Sequence, residues 1–313
     1  MSHWMKWIVA ACTVTLLAAC GGSDDDETVA QPKNIVQTAQ SDARFSILVE
    51  AVVAADLAGT LSAPGPFTVF APTNDAFVAL LAELGVTKDQ LLADKALLTS
   101  VLTYHVLPAQ VLRAAVPAGQ AITTVQGGIF KVDAVGSDLV VTDGRNRTAK
   151  ITATDLQTSN GVIHVVDRVL LPANKTVVET AQSLPAFSIL VEAVVAANLQ
   201  GTLSGAGPFT VFAPTNDAFA ALLSELGVTK DQLLADVPLL TQVLTYHVVP
   251  ARVLKANVPV GTAIGSVQGG TFTVDAGLAI TDQRARRASI VATDVLASNG
   301  VIHVVDKVIL PAP

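Results

Sequence analysis

Two histidines recur in each half of the chain, His105 and His164, then His247 and His303. Imidazole is the side chain that offers metal ligation and proton transfer near neutral pH. Zinc asks for three or four ligands, and no His-rich or Cys-bearing spacing completes a set around these four. Both cysteines, Cys12 and Cys20, lie within the first twenty residues, so the remaining chain has no thiol nucleophile, cluster ligand or disulfide. A Ser–His–Asp hydrolase fares no better. No G-x-S-x-G elbow occurs, and Ser159 and Ser298 stand in Ser-Asn-Gly turns. The Gly-Gly pairs at 127–128 and 269–270 fall at hairpin turns and lack the strand–loop–helix context of a phosphate cradle. The expectation is a chain without catalytic residues, resident metal or cofactor.

Tyr104–His105 and Tyr246–His247 sit where a leucine-rich helical run gives way to a strand. A buried phenol and imidazole there need partners and can tie the helix end to a neighbouring loop. His164 and His303 stand inside "VIHVV", where alternation puts the imidazole on the face opposite Ile163 and Val165. Thr73, Asn74 and Asp75, repeated as Thr215, Asn216 and Asp217, follow a strand-ending proline and open a helix. Threonine or asparagine there accepts from free helix amides, and the aspartate complements the positive end of the dipole. The same exposed edge could also touch a partner. Two arginine-bearing loops, "GRNRTAK" with Arg145 and Arg147 and "QRARRAS" with Arg284, Arg286 and Arg287, stand out on an acidic chain. They read as solvated turns or as an anion contact for acidic glycans or lipopolysaccharide.

These residues are positioned by two copies of one unit. "GPFTVFAPTNDAF" occupies 65–77 and, unchanged, 207–219. "FSILVEAVVAA" and "VLTYHV" also repeat at an offset of 142, whereas "SNGVIHVVD" repeats at 139, because "AVGSDL" shortens to "AGL" at a hairpin tip. Within a copy, Phe45, Leu48, Val49, Val52, Val53 and Leu57 recur at helical spacing, with Ser41 or Asp42 as cap and Gly59 as stop. "FTVFA" reads as a buried strand, "TNDAFVALLAEL" as a helix, "TKDQ" as a capping box, and Asp94 as the cap of the next helix. Beyond Pro108 the texture changes to strands, so the fold class is α+β.

The chain is 51% hydrophobic and 14% charged with net charge −7, part of it on Asp24, Asp25, Asp26 and Glu27. That excludes disorder and lacks the basic footprint of a nucleic-acid binder. "WIVAACTVTLLAA" (7–19) has the length of a signal-peptide apolar region and ends in "LAAC". The expected division is a lipoprotein signal at 1–20, a flexible acidic tether at 21–32, and globular units at 33–172 and 175–311. Cys20 would carry the lipid.

At three blocks, each present in order in both copies, the sequence resembles the fasciclin-like domain family: "TVFAPTNDAF", "TYHV" and "NGVIHVVDRVLLP". The resemblance implies a β-sandwich or wedge flanked by helices, in two tandem copies. It also implies a secreted, lipid-anchored protein of the bacterial cell envelope. Such a protein adheres to polysaccharide, extracellular matrix or a cell-surface protein, without catalysis and with the membrane reached only through the lipid. The alternatives are an envelope scaffold without a discrete ligand and, further off, an envelope hydrolase.

Overall fold

The computed structural model describes residues 32–313, so the signal segment, Cys20 and all of the tether but Pro32 lie outside the described residues. Capping side chains start several of the helices, but not the one beginning at Ser46. Asp42, one of its two expected caps, instead accepts the Arg44 amide and caps a 3-10 turn at Ala43–Phe45, and Phe45 leads into the helix without a side-chain cap. Asn34 and Thr87 form reciprocal capping boxes with Gln37 and Gln90, and Thr73 and Asp94 accept from the free amides of Ala76 and Leu97. The first copy runs α1 (Ile35–Gln40), α2 (Ser46–Ala54), α3 (Ala58–Ser62), β1 (Phe67–Pro72), α4 (Asn74–Leu84), α5 (Lys88–Ala93) and α6 (Lys95–Tyr104). Strands follow: β2 (Val106–Leu107), β3 (Ala121–Thr123), β4 (Ile129–Val135), β5 (Asp138–Thr142), β6 (Thr148–Thr158) and β7 (Gly161–Val166).

The second copy repeats this as α7 (Val177–Gln182), α8 (Ser188–Ala196), α9 (Gln200–Leu203), β8 (Phe209–Pro214), α10 (Asn216–Leu226), α11 (Lys230–Ala235) and α12 (Val237–Tyr246). Its strands are β9 (Val248–Val249), β10 (Ala263–Gly265), β11 (Thr271–Val274), β12 (Ala279–Thr281), β13 (Arg287–Ala297) and β14 (Gly300–Val305). The three-residue deletion lands in the β11–β12 hairpin, whose strands are shorter than β4 and β5.

One helix stop differs from the sequence expectation. Gly59 lies inside α3, and α2 ends earlier because Asp56 adopts a left-handed φ of 59°. The amide of Leu57 then reaches back to Val52 O at 3.0 Å and closes the turn. Aspartate and asparagine tolerate this backbone better than most residues, and Asn198 at φ 53° does the same in the second copy.

In each copy seven strands join into one sheet, ordered β2-β1-β7-β6-β5-β4-β3 in the first. β1 and β7 are parallel, from Phe67↔Gly161 to Pro72↔Val166, and the other pairs are antiparallel. The close approach of β1 and β7 requires glycine at 161, where a Cβ would sit 2.1 Å from Phe67 O. Alternation along β1 sends Val69 and Ala71 into a core beneath the helices, while Phe70 enters a second core with Phe130, Val132 and Val141. That second core collects residues from both ends of the sheet, so the sheet curls into a nearly closed wrap around it. Each fully buried aromatic of this kind contributes roughly 1.5–3 kcal/mol.

The two copies pack directly against one another. Lys131 of β4 pairs with Asp294 of β13 at 3.0 Å. Asn146 exchanges two hydrogen bonds with the backbone of Leu296, at 3.0 and 2.6 Å. Ile129 joins Leu254, Leu296 and Val301 in an apolar cluster that spans the junction.

Candidate functional site

The flagged histidines are buried and hydrogen-bonded through both ring nitrogens. His105 Nδ1 lies 2.7 Å from Val101 O, so it donates, and Nε2 accepts the amide of Leu170 at 2.9 Å. His247 repeats this with Val243 O and the amide of Ile309. Burial pushes both imidazoles down to about 4, because a second ring proton would face an amide proton in a dry site. His164 and His303 hold the other tautomer: Nε2 donates to Val111 O and Val253 O, and Nδ1 accepts from Asp155 and Asp294 amides. Burial also pushes His303 down. With both nitrogens so engaged, these rings clamp strand to loop.

The tyrosines act likewise. Tyr104 Oη donates to Ile129 O at 2.5 Å and Tyr246 Oη to Thr271 O at 2.7 Å, each tying the last turn of a helix to the hairpin strand. Burial raises both phenols, Tyr246 to about 12.

Within the Thr-Asn-Asp edge, the asparagine does the most. Asn74 Oδ1 accepts the amide of Ile47 and its Nδ2 donates to Ala43 O, so it holds the start of α2 from α4. Asn216 repeats this on Ile189 and Pro185. Thr73 and Thr215 are N-caps, while Asp75 and Asp217 are the exposed members.

The arginine loops are built around a carboxylate that sequence reasoning missed. Asp143, 1% exposed, accepts from the amides of Arg145, Arg147 and Leu171 and from the Arg147 guanidinium. Asp282 takes the corresponding amides of Arg284, Arg286 and Leu310. Arg147 also pairs with Glu83, Arg286 with Glu225, and Arg287 with Asp275. Arg284 Nε donates to Pro311 O at 2.8 Å. Arg145 differs: its Nε is buried with no hydrogen-bond partner, and burial and Arg147 hold the guanidinium below its usual value.

Asn160 and Asn299 stand in the Ser-Asn-Gly turns, yet each is a buried hub. Asn160 donates to Leu61 O and Ala63 O and accepts the amide of Ile35. Burial of the "SNG" asparagine was not visible in a turn signature. Among the described residues, no group of three or more His, Cys, Asp or Glu side chains converges as a metal site would.

Two helix-and-sheet units of this topology, in tandem, define a class. The sequence profile of the fasciclin domain matches residues 43–172 and 185–311, and the chain belongs to the fasciclin domain family. Protein sll1483 of Synechocystis sp. is 46% identical over 150 residues, covering 47% of this chain and 79% of that protein. Transforming growth factor-beta-induced protein ig-h3 of Sus scrofa is 29% identical over 254 residues, covering 80% of this chain and 35% of that protein. Periostin of Homo sapiens is 29% identical over 262 residues, with 82% and 29% covered. The chain therefore spans about a third of the length of these mammalian relatives. Among solved structures, the FAS1 domain pair from the insect cell adhesion molecule fasciclin I aligns with a TM-score of 0.44 and 18% identity. That alignment covers 86% of this chain and 98% of that one.

Proposed function

We propose that the chain is a lipid-anchored cell-envelope protein, acylated at Cys20, whose tandem fasciclin domains adhere to polysaccharide or to a surface protein and do no catalysis. The adhesive part rests on the family match, and what supports the non-catalytic part is the engagement of all four recurrent imidazoles, both nitrogens each, in backbone hydrogen bonds within the fold. Side chains so committed hold a frame and offer neither a general base nor a ligand. No helix among the described residues is long and apolar enough to cross a membrane, which fits attachment through a lipid.

A binding screen of the full chain against envelope polysaccharides and surface extracts tests adhesion, and absence of any saturable partner sinks it. Palmitate incorporation should vanish in Cys20→Ser; unchanged labelling would refute the anchor. The direct packing of the two copies also suits a second reading, a spacer without ligand. If an unrelated fold of similar size replaces residues 175–311 with full rescue in cells, the spacer reading wins.

A further inference from the structure

Where the two copies meet they leave a cleft of about 540 Å³. Arg145 and Lys175 border it, with Thr180 and Ser183 on one wall and Leu184 and Leu296 among its apolar contacts. No aspartate or glutamate lines it among the described residues. The volume falls within the range of small-molecule sites and would accept a short oligosaccharide.

The two copies supply an internal comparison. Arg145 and Arg284 occupy the same place in their loops, two residues after a buried aspartate. Arg284 satisfies its Nε on Pro311 O, whereas the Arg145 Nε is buried without a partner. The nearby carboxylates do not compensate, because Asp143 and Glu83 are taken by Arg147. That Nε is too enclosed to meet a ligand itself, but Arg145 forms no ion pair among the described residues. A guanidinium bordering a cleft that holds a second cation and no carboxylate suits an oxyanion. Ser183 donates its own proton to Thr180 O, so its oxygen stays free to accept, and the hydroxyls and apolar contacts suit a sugar ring.

We propose that this interdomain cleft binds an acidic saccharide, with its oxyanion held by Arg145 and Lys175 and its hydroxyls by Thr180 and Ser183. The proposal rests on the adhesion reading above and gives it a location. The oxyanion could be a sugar carboxylate or a sugar phosphate, and the recognising chemistry is shared.

The test is calorimetric titration of the full chain with trigalacturonate, glucosamine 1-phosphate and neutral maltotriose. At least one acidic probe should bind and maltotriose should not; which acidic probe binds tells the two sources apart. Arg145→Gln with Lys175→Gln should weaken that binding at least tenfold, and Ser183→Trp, which fills the cleft without changing charge, should also abolish it. Arg287→Gln, at an exposed arginine paired with Asp275, should leave it intact. Undiminished affinity in both cleft variants, equal binding of maltotriose, or no binding of either acidic probe would overturn the cleft assignment. In each of those cases the adhesion reading still stands or falls on the wider screen.

Discussion

His105 and His247 are 2% exposed and titrate near 4 in the folded chain, against an ordinary value near 6.5. The folded value is depressed, so their stabilisation is present above pH 6.5 and is lost as pH falls towards 4, where the unfolded chain binds the extra protons. The shift corresponds to about 3 kcal/mol per histidine. Urea midpoints measured from pH 7 to 4 should fall steeply across that window. The doubly substituted His105→Ala, His247→Ala chain should start less stable, because two buried amides lose their acceptor, yet show a much flatter slope. An equally steep slope in that variant would assign the acid sensitivity elsewhere. The tyrosines give the opposite limb. Their folded values are raised by burial, so stability holds below pH 10 and is lost as pH rises, through about 12 for Tyr246 and higher still for Tyr104. Tyr104 and Tyr246 are the only tyrosines in the chain. Absorbance at 295 nm should therefore show little tyrosinate at pH 11 in the native protein and nearly full ionisation once it is unfolded.

At the level of elements, the Thr-Asn-Asp corner separates capping from clamping. Thr73→Ala removes one N-cap, a loss of about 1 kcal/mol. Asn74→Ala orphans the Ile47 amide and the Ala43 carbonyl in another helix start, which costs about 1–3 kcal/mol. Asp75 is exposed and acts on the dipole alone, so Asp75→Ala should cost only a few tenths of a kcal/mol. Urea denaturation of the three variants should rank Asn74 above Thr73 above Asp75; a dominant Asp75 effect would point to an unseen role for that edge. Sequence legibility follows the same division. Local devices could be read: the Thr87–Gln90 box, the Asp94 cap and the Gly-Gly hairpins depend only on neighbours in the chain. Asn74, Asn160 and Asp143 could not be weighed correctly, because their partners lie 27 to 125 residues away or on a connector that only the fold brings near. The Gly59 stop failed for a related reason. An aspartate can take the left-handed turn first, and nothing in the pattern ranks the two.

Across the whole molecule, the substitutions at the junction show how nearly identical copies form a defined pair. The inner face of the first copy presents Ile129, Lys131 and Asn146, and the corresponding residues on the outer face of the second are Thr271, Thr273 and Ala285. The inner face of the second copy presents Leu296, and its counterpart on the first is the exposed Gln157. Leu254 is 1% exposed in the junction while its counterpart Leu112 is 39% exposed. A head-to-tail contact between like units can in principle continue indefinitely. On the outer faces Thr271 and Gln157 replace two of the apolar cluster's four members, and Thr273 replaces the lysine, that a third copy would need. The same comparison supplies the experiment. Ile129→Thr, Lys131→Thr and Leu296→Gln install in each copy a polar residue that the other already carries there, so each copy should still fold. Asp294, 4% exposed beside Lys131, would become hydrated in the separated domain as its half-exposed counterpart Asp155 is, rather than stay buried and unpaired. Calorimetry of the parent should show one cooperative transition, and the triple variant should show two, with the less stable copy melting several degrees earlier. A single transition at an unchanged midpoint in the variant would mean that the junction adds nothing to stability and that the copies are independent beads on a short connector.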